Sequence, residues 1–299
     1  MTGFTLKKIN YLFYGGYVNT YLLETDRFVI LIDSGVGSAK KTICQELDGI
    51  DFADKPFLLL NTHMHWDHAS LNGYLKERYG AVICGASASE WLCDRLRQFE
   101  ETYGAYEKSY PHEKSIRELY WREFAYPAPA DRVLVNNERI EDAGFSLRVL
   151  ETPGHSADSL SFYEENTGIL FAGDALQGTG FDGNAPFYRS AEDYLHTAET
   201  VRHLPMKEIL CGHGMFEGAP LCAKWAEASV ETCEKLDRAV RKAEAAGEQA
   251  TGICALLKEE MGYPETVHLY TTVKAHMTQA RSGYDESDCT KTEDKHICR

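Results

Sequence analysis

Residues 57–68 read Phe-Leu-Leu-Leu-Asn-Thr-His-Met-His-Trp-Asp-His, a short apolar run that breaks directly into three histidines and an aspartate within six positions. Side chains that alternate on an extended segment share a face, so His63 and His65 can converge on a single ion. Asp67 and His68, slightly further on, are free to serve a second. Neutral imidazoles with a carboxylate suit zinc, and the donor types leave room for iron or manganese. A lone pair of histidines is most often a surface or core feature, but four such donors in six residues are not.

The same grammar recurs three times. Phe145–Leu150 runs into Glu151-Thr152-Pro153-Gly154-His155, Gly168–Ala172 into Gly173-Asp174, and Lys207–Cys211 into Gly212-His213-Gly214. In each case an apolar run that reads as a buried strand ends in glycine and then in a potential ligand. Glycine at such a junction permits a turn and a close backbone approach that aim the next side chain into a shared cleft.

The set His63-x-His65-x-Asp67-His68, His155, Asp174 and His213 resembles the metal-binding pattern of the metallo-beta-lactamase superfamily, and the likeness extends over about the first 215 residues. The resemblance implies an α/β fold, a four-layer αββα sandwich of two mixed sheets covered by helices, with the site along one edge. It implies two Zn2+ ions, with Fe or Mn as alternatives. His63, His65 and His155 would hold one ion and Asp67, His68 and His213 the other, with Asp174 bridging both. Leu31-Ile32-Asp33-Ser34-Gly35 is similar to the family segment whose aspartate orients a ligand histidine from behind, which makes Asp33 a supporting residue and not a ligand.

After Asp174 comes a glycine-rich loop, 177–184, followed by Pro186-Phe187-Tyr188-Arg189. It has neither the spacing nor the lysine of a phosphate-binding loop. Within it Tyr188 is the candidate donor to a developing oxyanion and Arg189 the candidate partner for a substrate carboxylate, with ordinary loop packing as the competing reading of both.

Along the chain, 1–218 reads as a catalytic domain, 219–281 as an appended C-terminal helical subdomain that resembles the helical additions of glyoxalase II-like hydrolases in arrangement only, and 282–299 as a polar tail. Between about 87 and 126 lies a helical insertion dense in aromatics, among them Trp91, Phe99, Tyr103, Tyr120 and Phe124. It reads as a substrate cap, a dimer surface or plain core packing. Nine cysteines at irregular spacing, with no secretory leader at Met1–Ile9, indicate reduced thiols and a cytoplasmic protein. No stretch approaches the roughly 20 apolar residues of a membrane span.

A net charge of −15 opposes nucleic acid as a partner, because polyanion binding draws on Lys and Arg. The expected activity is therefore hydrolysis of a small carboxylic ester, thioester or lactone by a hydroxide held between the two metal ions, with Asp67 or Asp174 passing the proton to the leaving atom. Two alternatives stand beside it. One is phosphodiester cleavage, as in the superfamily's ribonucleases of the beta-lactamase-like protein 2 kind, and the other is a metal-binding protein without catalysis.

Overall fold

The computed structural model describes residues 3–52, 54–86, 93–112, 115–214 and 223–277. Trp91 and the expected polar tail from 282 lie outside them. The first sheet runs in the order β1 (Phe4–Phe13), β2 (Gly16–Thr25), β3 (Val29–Ile32), β4 (Phe57–Leu60), β5 (Val82–Gly85) and β6 (Arg132–Val133). The hairpin strands pair antiparallel, and β3 through β6 pair parallel. The second sheet is built from β7 (Arg139–Asp142), β8 (Phe145–Glu151), β9 (Leu160–Glu164), β10 (Ile169–Gly173) and β11 (Glu208–Cys211), neighbours in sequence being neighbours in space. Its last pair, β10 and β11, is parallel and the rest antiparallel.

The unbroken apolar runs follow from burial on both faces. Leu58 and Leu60 of β4 point into a cluster between the sheets, with Ile30 and Ile32 on one side and Leu147, Val149, Phe162 and Phe171 on the other. Phe57 and Leu59, alternating with them, point outward to the helices α1 (Lys40–Leu47) and α3 (Asn72–Tyr79). Leu170 and Ile209 likewise face α6 (Ala191–Val201) and α7 (Ala223–Ala245). Each fully buried aliphatic side chain of this kind contributes roughly 1.5–3 kcal/mol. Helix, sheet, sheet and helix thus stack as four layers, the expected αββα sandwich.

Two features were not read from the sequence. Strand β1 is half-exposed along most of its length, so it carries no continuous apolar signal. The C-terminal helices α7, α8 (Ala250–Met261) and α9 (Val267–Met277) send Leu236, Val240, Ile253, Leu257 and Leu269 into the same apolar cluster as the outer face of the first sheet. Among the described residues no helix is long and apolar enough to cross a membrane.

The sheets are stitched together at one edge. Asn19 of β2 donates its backbone N–H to the Gly212 carbonyl at 2.8 Å and its side-chain amide to the Cys211 carbonyl at 3.0 Å. The Tyr21 hydroxyl donates to that same Cys211 carbonyl. All the strand ends that carry candidate ligands open at this edge.

Candidate metal centre

Beyond β4 the chain stays extended through His65, whose φ of −62° and ψ of 151° cap a single helical turn, α2 (Trp66–Ala69). This places His63 and His65 on the extended segment and Asp67 and His68 on the turn. The loop after β8 brings His155, the end of β10 brings Asp174, and the residues after β11 bring His213. The glycines at these ends are sterically required: a Cβ on Gly173 would sit 2.5 Å from the Thr62 hydroxyl oxygen, and one on Gly212 would sit 2.4 Å from both Asp174 Oδ1 and His68 Cε1. Gly173 also has a φ of +51°, a conformation that disfavours a side chain.

Seven side chains converge. His155 Nε2 lies 3.1 Å from His63 Nε2 and 2.9 Å from His65 Nδ1. His213 Nε2 lies 3.4 Å from His68 Nε2 and 3.3 Å from Asp67 Oδ2. Asp174 stands between the groups, with Oδ2 3.2 Å from His213 Nε2 and 3.6 Å from His155 Nε2, and Oδ1 3.6 Å from His68 Nε2.

The far side of most rings is tied down, which fixes which nitrogen faces inward. His155 Nδ1 donates to the Phe187 carbonyl at 2.7 Å and His213 Nδ1 to the Tyr17 carbonyl at 3.0 Å. His68 Nδ1 donates to Asp33 Oδ2 at 2.8 Å. Asp33 also accepts from the Thr62 backbone N–H and hydroxyl, each at 2.7 Å, so its carboxylate locks the start of the ligand loop to a ligand ring. The Thr62 hydroxyl in turn lies 3.1 Å from His63 Nδ1.

Charge divides the seven. Burial, reinforced by neighbouring rings, holds His63 and His65 well below the usual histidine range, and burial lowers His155. For His213 burial acts the same way but is outweighed by Asp174 and Asp67, which lift it to about 10. Burial is likewise overcome at His68, which Asp174, Asp33 and Asp67 raise well above the usual range. Burial would raise Asp67 and Asp174, yet the facing histidines hold both carboxylates low. The arrangement calls for positive charge.

Two observations test whether metal ions fit. The His155 nitrogen lies 3.1 and 2.9 Å from those of His63 and His65, close to the separation of about 3.3 Å that Zn–N bonds of about 2.0–2.1 Å set between neighbouring nitrogens, and all three lie within 4.8 Å of one another. Asp174 Oδ1 is buried without a hydrogen-bond partner, an arrangement that is rare for a carboxylate oxygen unless a ligand takes it up. The donor set is nitrogen and oxygen throughout; Cys211 is buried with its thiol directed to the Leu176 carbonyl.

Above the cluster lies a cleft of about 270 Å3. The aromatic insertion, α4 (Arg95–Ser109) and α5 (Ser115–Glu123), divides its side chains between two tasks. Phe99, Tyr120 and Phe124 are buried in the core, while Tyr103, Ile116 and Leu119 form a cleft wall. Trp66 donates its indole N–H to the Tyr103 hydroxyl at 2.7 Å, fastening that wall to the ligand turn.

Tyr188 and Arg189 are not brought to the cleft, which corrects the roles expected of them. The extended segment at 186–189 presents alternate residues to opposite sides, so Phe187 faces the ligands and Tyr188 faces away. Tyr188 is fully buried, stacked on Tyr194 at 4.3 Å, with its hydroxyl 2.8 Å from His276 Nε2. Arg189 is exposed, donates to the Glu101 carbonyl at 3.1 Å and borders a separate hollow on the far side of His65. Tyr188→Phe is accordingly expected to leave turnover within about twofold of the parent while lowering stability by about 1–3 kcal/mol, because His276 loses its buried partner. A denaturant melt and a rate assay on the same protein check both halves.

Other supporting residues escaped the sequence reading. Asp158 accepts from the Met64 backbone N–H at 2.9 Å and pins the ligand loop; its place three residues after His155 was the available signal. Gln177 donates to the carbonyls of Phe187 and Asp174 at 2.9 and 3.1 Å, and nothing in its local sequence marks it. His268 enters the cleft from α9, remote in sequence from every ligand.

Residues 13–213 match the family model described as the metallo-beta-lactamase superfamily. Hydroxyacylglutathione hydrolase GloC of Haemophilus influenzae is 25% identical over 64% of this chain and 83% of its own. The atrochrysone carboxyl ACP thioesterase of Aspergillus fumigatus is 25% identical over 66% of this chain, which spans half of that longer protein. A metallo-beta-lactamase family protein from Thermus thermophilus has a similar structure, with a TM-score of 0.68 over 92% of this chain and 91% of that one at 24% identity.

Proposed function

The chain belongs to the metallo-beta-lactamase superfamily, and from that premise we propose that it is a dinuclear metal-dependent hydrolase whose substrates are small carboxylic thioesters, with related esters and lactones following. His63, His65 and His155 would hold one ion, and Asp67, His68 and His213 the other, with Asp174 shared between them. Zinc fits these donors, as do iron and manganese. The observation that carries the reading is the unpartnered, buried Asp174 Oδ1 in the midst of six other ligand side chains. The catalytic unit is assigned to 1–218 and the appended helices to 219–281.

Two bound cations would activate water near neutral pH and polarise a substrate carbonyl. The chain's own residues do the rest. Asp33, Thr62 and the Phe187 and Tyr17 carbonyls keep the ligand rings in one orientation. Asp67, ionised and partly open to the cleft with 20% of its side chain exposed, is placed to take the proton from the attacking water and pass it on to the leaving sulfur or oxygen. The same openness at Asp67 and His213 argues against a closed structural metal site. The relatives named as a thioesterase and as a hydroxyacylglutathione hydrolase support the thioester class. A phosphodiester polyanion is disfavoured by the net charge of −15.

Elemental analysis followed by a panel of thioesters, lactones and phosphodiesters tests the proposal. The expected result is two metal ions per chain and thiol release; cleavage of phosphodiesters alone would overturn it.

Metal binding must displace the protons on His68 and His213. The folded pKa of His213, about 10, lies above the unfolded value of 6.5, so its proton stabilises the metal-free fold below pH 6.5 and that contribution is lost as the pH rises through 10. Metal affinity is therefore expected to rise across this window with release of protons. Calorimetry in buffers of different ionisation heat measures it, and pH-independent binding would contradict the charge assignment.

A further inference from the structure

The walls of the cleft differ in kind from its floor. Around the ligands stand Phe13 and Tyr14 of the hairpin, Tyr103 and Leu119 of the insertion, and Phe187 and Val267. Among the described lining residues the acidic and basic side chains are Asp67, Asp174, Asp182 and the histidines, of which only His213 is held in the charged form, with no Lys or Arg. An anionic substrate group held clear of the metal cluster would lose water with no Lys or Arg to pair with, and the charged wall side chain it would meet there is Asp182. An uncharged apolar group meets rings and aliphatic carbons instead, and about 270 Å3 suits one ring or a short chain.

One wall residue breaks the apolar pattern. His268, near the start of α9, packs its ring edge-on against Phe187 at 5.5 Å. Its Nδ1 is buried and has no hydrogen-bond partner. Burial holds its pKa down, to about 4, so at neutral pH the ring offers one donor and one acceptor. The ring lines the cleft, so a ligand packed against it is the available partner for this nitrogen.

We propose that this cleft selects an uncharged, ring-sized acyl group whose hydrogen-bonding oxygen pairs with His268, and that it discriminates against anionic acyl groups and against glutathione as the thiol. The proposal rests on the thioesterase reading and deepens it: α9, outside the part of the chain that matches the family model, would set substrate choice.

The test holds the leaving thiol constant and neutral. N-acetylcysteamine thioesters of phenylacetate, of ortho-, meta- and para-hydroxyphenylacetate and of succinate are offered to the zinc-loaded parent, His268→Phe and His268→Gln, with S-lactoylglutathione as a further substrate for the parent. The parent is expected to favour phenylacetyl over succinyl and over lactoylglutathione by about thirtyfold or more in kcat/KM, within the range that a shaped pocket provides. His268→Phe is expected to raise KM for the best hydroxyphenylacetyl substrate about tenfold with little change in kcat, and to leave phenylacetyl near the parent value. His268→Gln restores part of the loss. Equal or better turnover of succinyl or glutathione thioesters, or an equal effect of His268→Phe on every acyl group, overturns the proposal. If no thioester is cleaved, the thioesterase reading falls, and calorimetric binding of the corresponding primary amides, neutral for the aryl groups and anionic for succinamate, decides the inference separately. Hydroxyphenylacetamide binding that weakens in His268→Phe supports it, and succinamate binding as tight as that of phenylacetamide overturns it.

Discussion

Asp174→Ala is expected to leave a folded protein that carries one metal ion or fewer and turns over at least about a thousandfold more slowly, the scale of loss when a charge-stabilising group is removed from a reacting centre. The carboxylate lies 3.2 Å from His213, 3.6 Å from His155 and 3.6 Å from His68, so it belongs to both halves of the cluster. Its removal takes negative charge from among rings that it holds in place and leaves neither half complete. Asp174→Asn keeps the volume and serves as the second variant, since an amide offers a single oxygen and no net charge. Elemental analysis and a thioester assay on the same samples are the measurement. Full turnover by either variant would contradict the shared-ligand assignment.

Asp33→Asn is expected to weaken metal binding by about 10- to 100-fold without touching any ligand, the range for residues that orient ligands from behind. Asp33 accepts three hydrogen bonds, two at 2.7 Å from Thr62 and one at 2.8 Å from His68 Nδ1. Its φ of +61° lies in the left-handed region, which asparagine tolerates, so the backbone is spared. The amide nitrogen, however, would face His68 where an acceptor stood. His68 would then take the tautomer with its proton on Nε2, closing the lone pair that faces the site. Competition with a chromophoric chelator reads the affinity. An unchanged constant would mean that Asp33 serves only the loop, through Thr62.

That the seven side chains gather was legible because metal chemistry constrains residue type and spacing together: His63 through His68 read as a candidate ligand cluster without knowledge of the rest of the chain. The layers were legible for a similar reason, since strands buried on both faces cannot hide their composition. Tyr188 was misread because side chains on an extended segment alternate, and a shift of one residue exchanges Phe187 for Tyr188 at the cleft. Strand β1 was missed because it is half-exposed, and exposure leaves residue choice free. His268 was missed because nothing local marks a helix residue whose partner lies across the molecule; its meaning arises only when α9 docks against Phe187.

The edge where Asn19 clasps Cys211 and Gly212 has a mechanical corollary. His63, His65, Asp67 and His68 ride on the first sheet, and His155, Asp174 and His213 on the second, so cations held by all seven would act as rivets through two plates. Any shear of one plate over the other changes the gap between the rivets. The spacing of the reactive centre is thus gauged by the rigidity of the whole sandwich, and neither plate expressed alone would possess a complete socket.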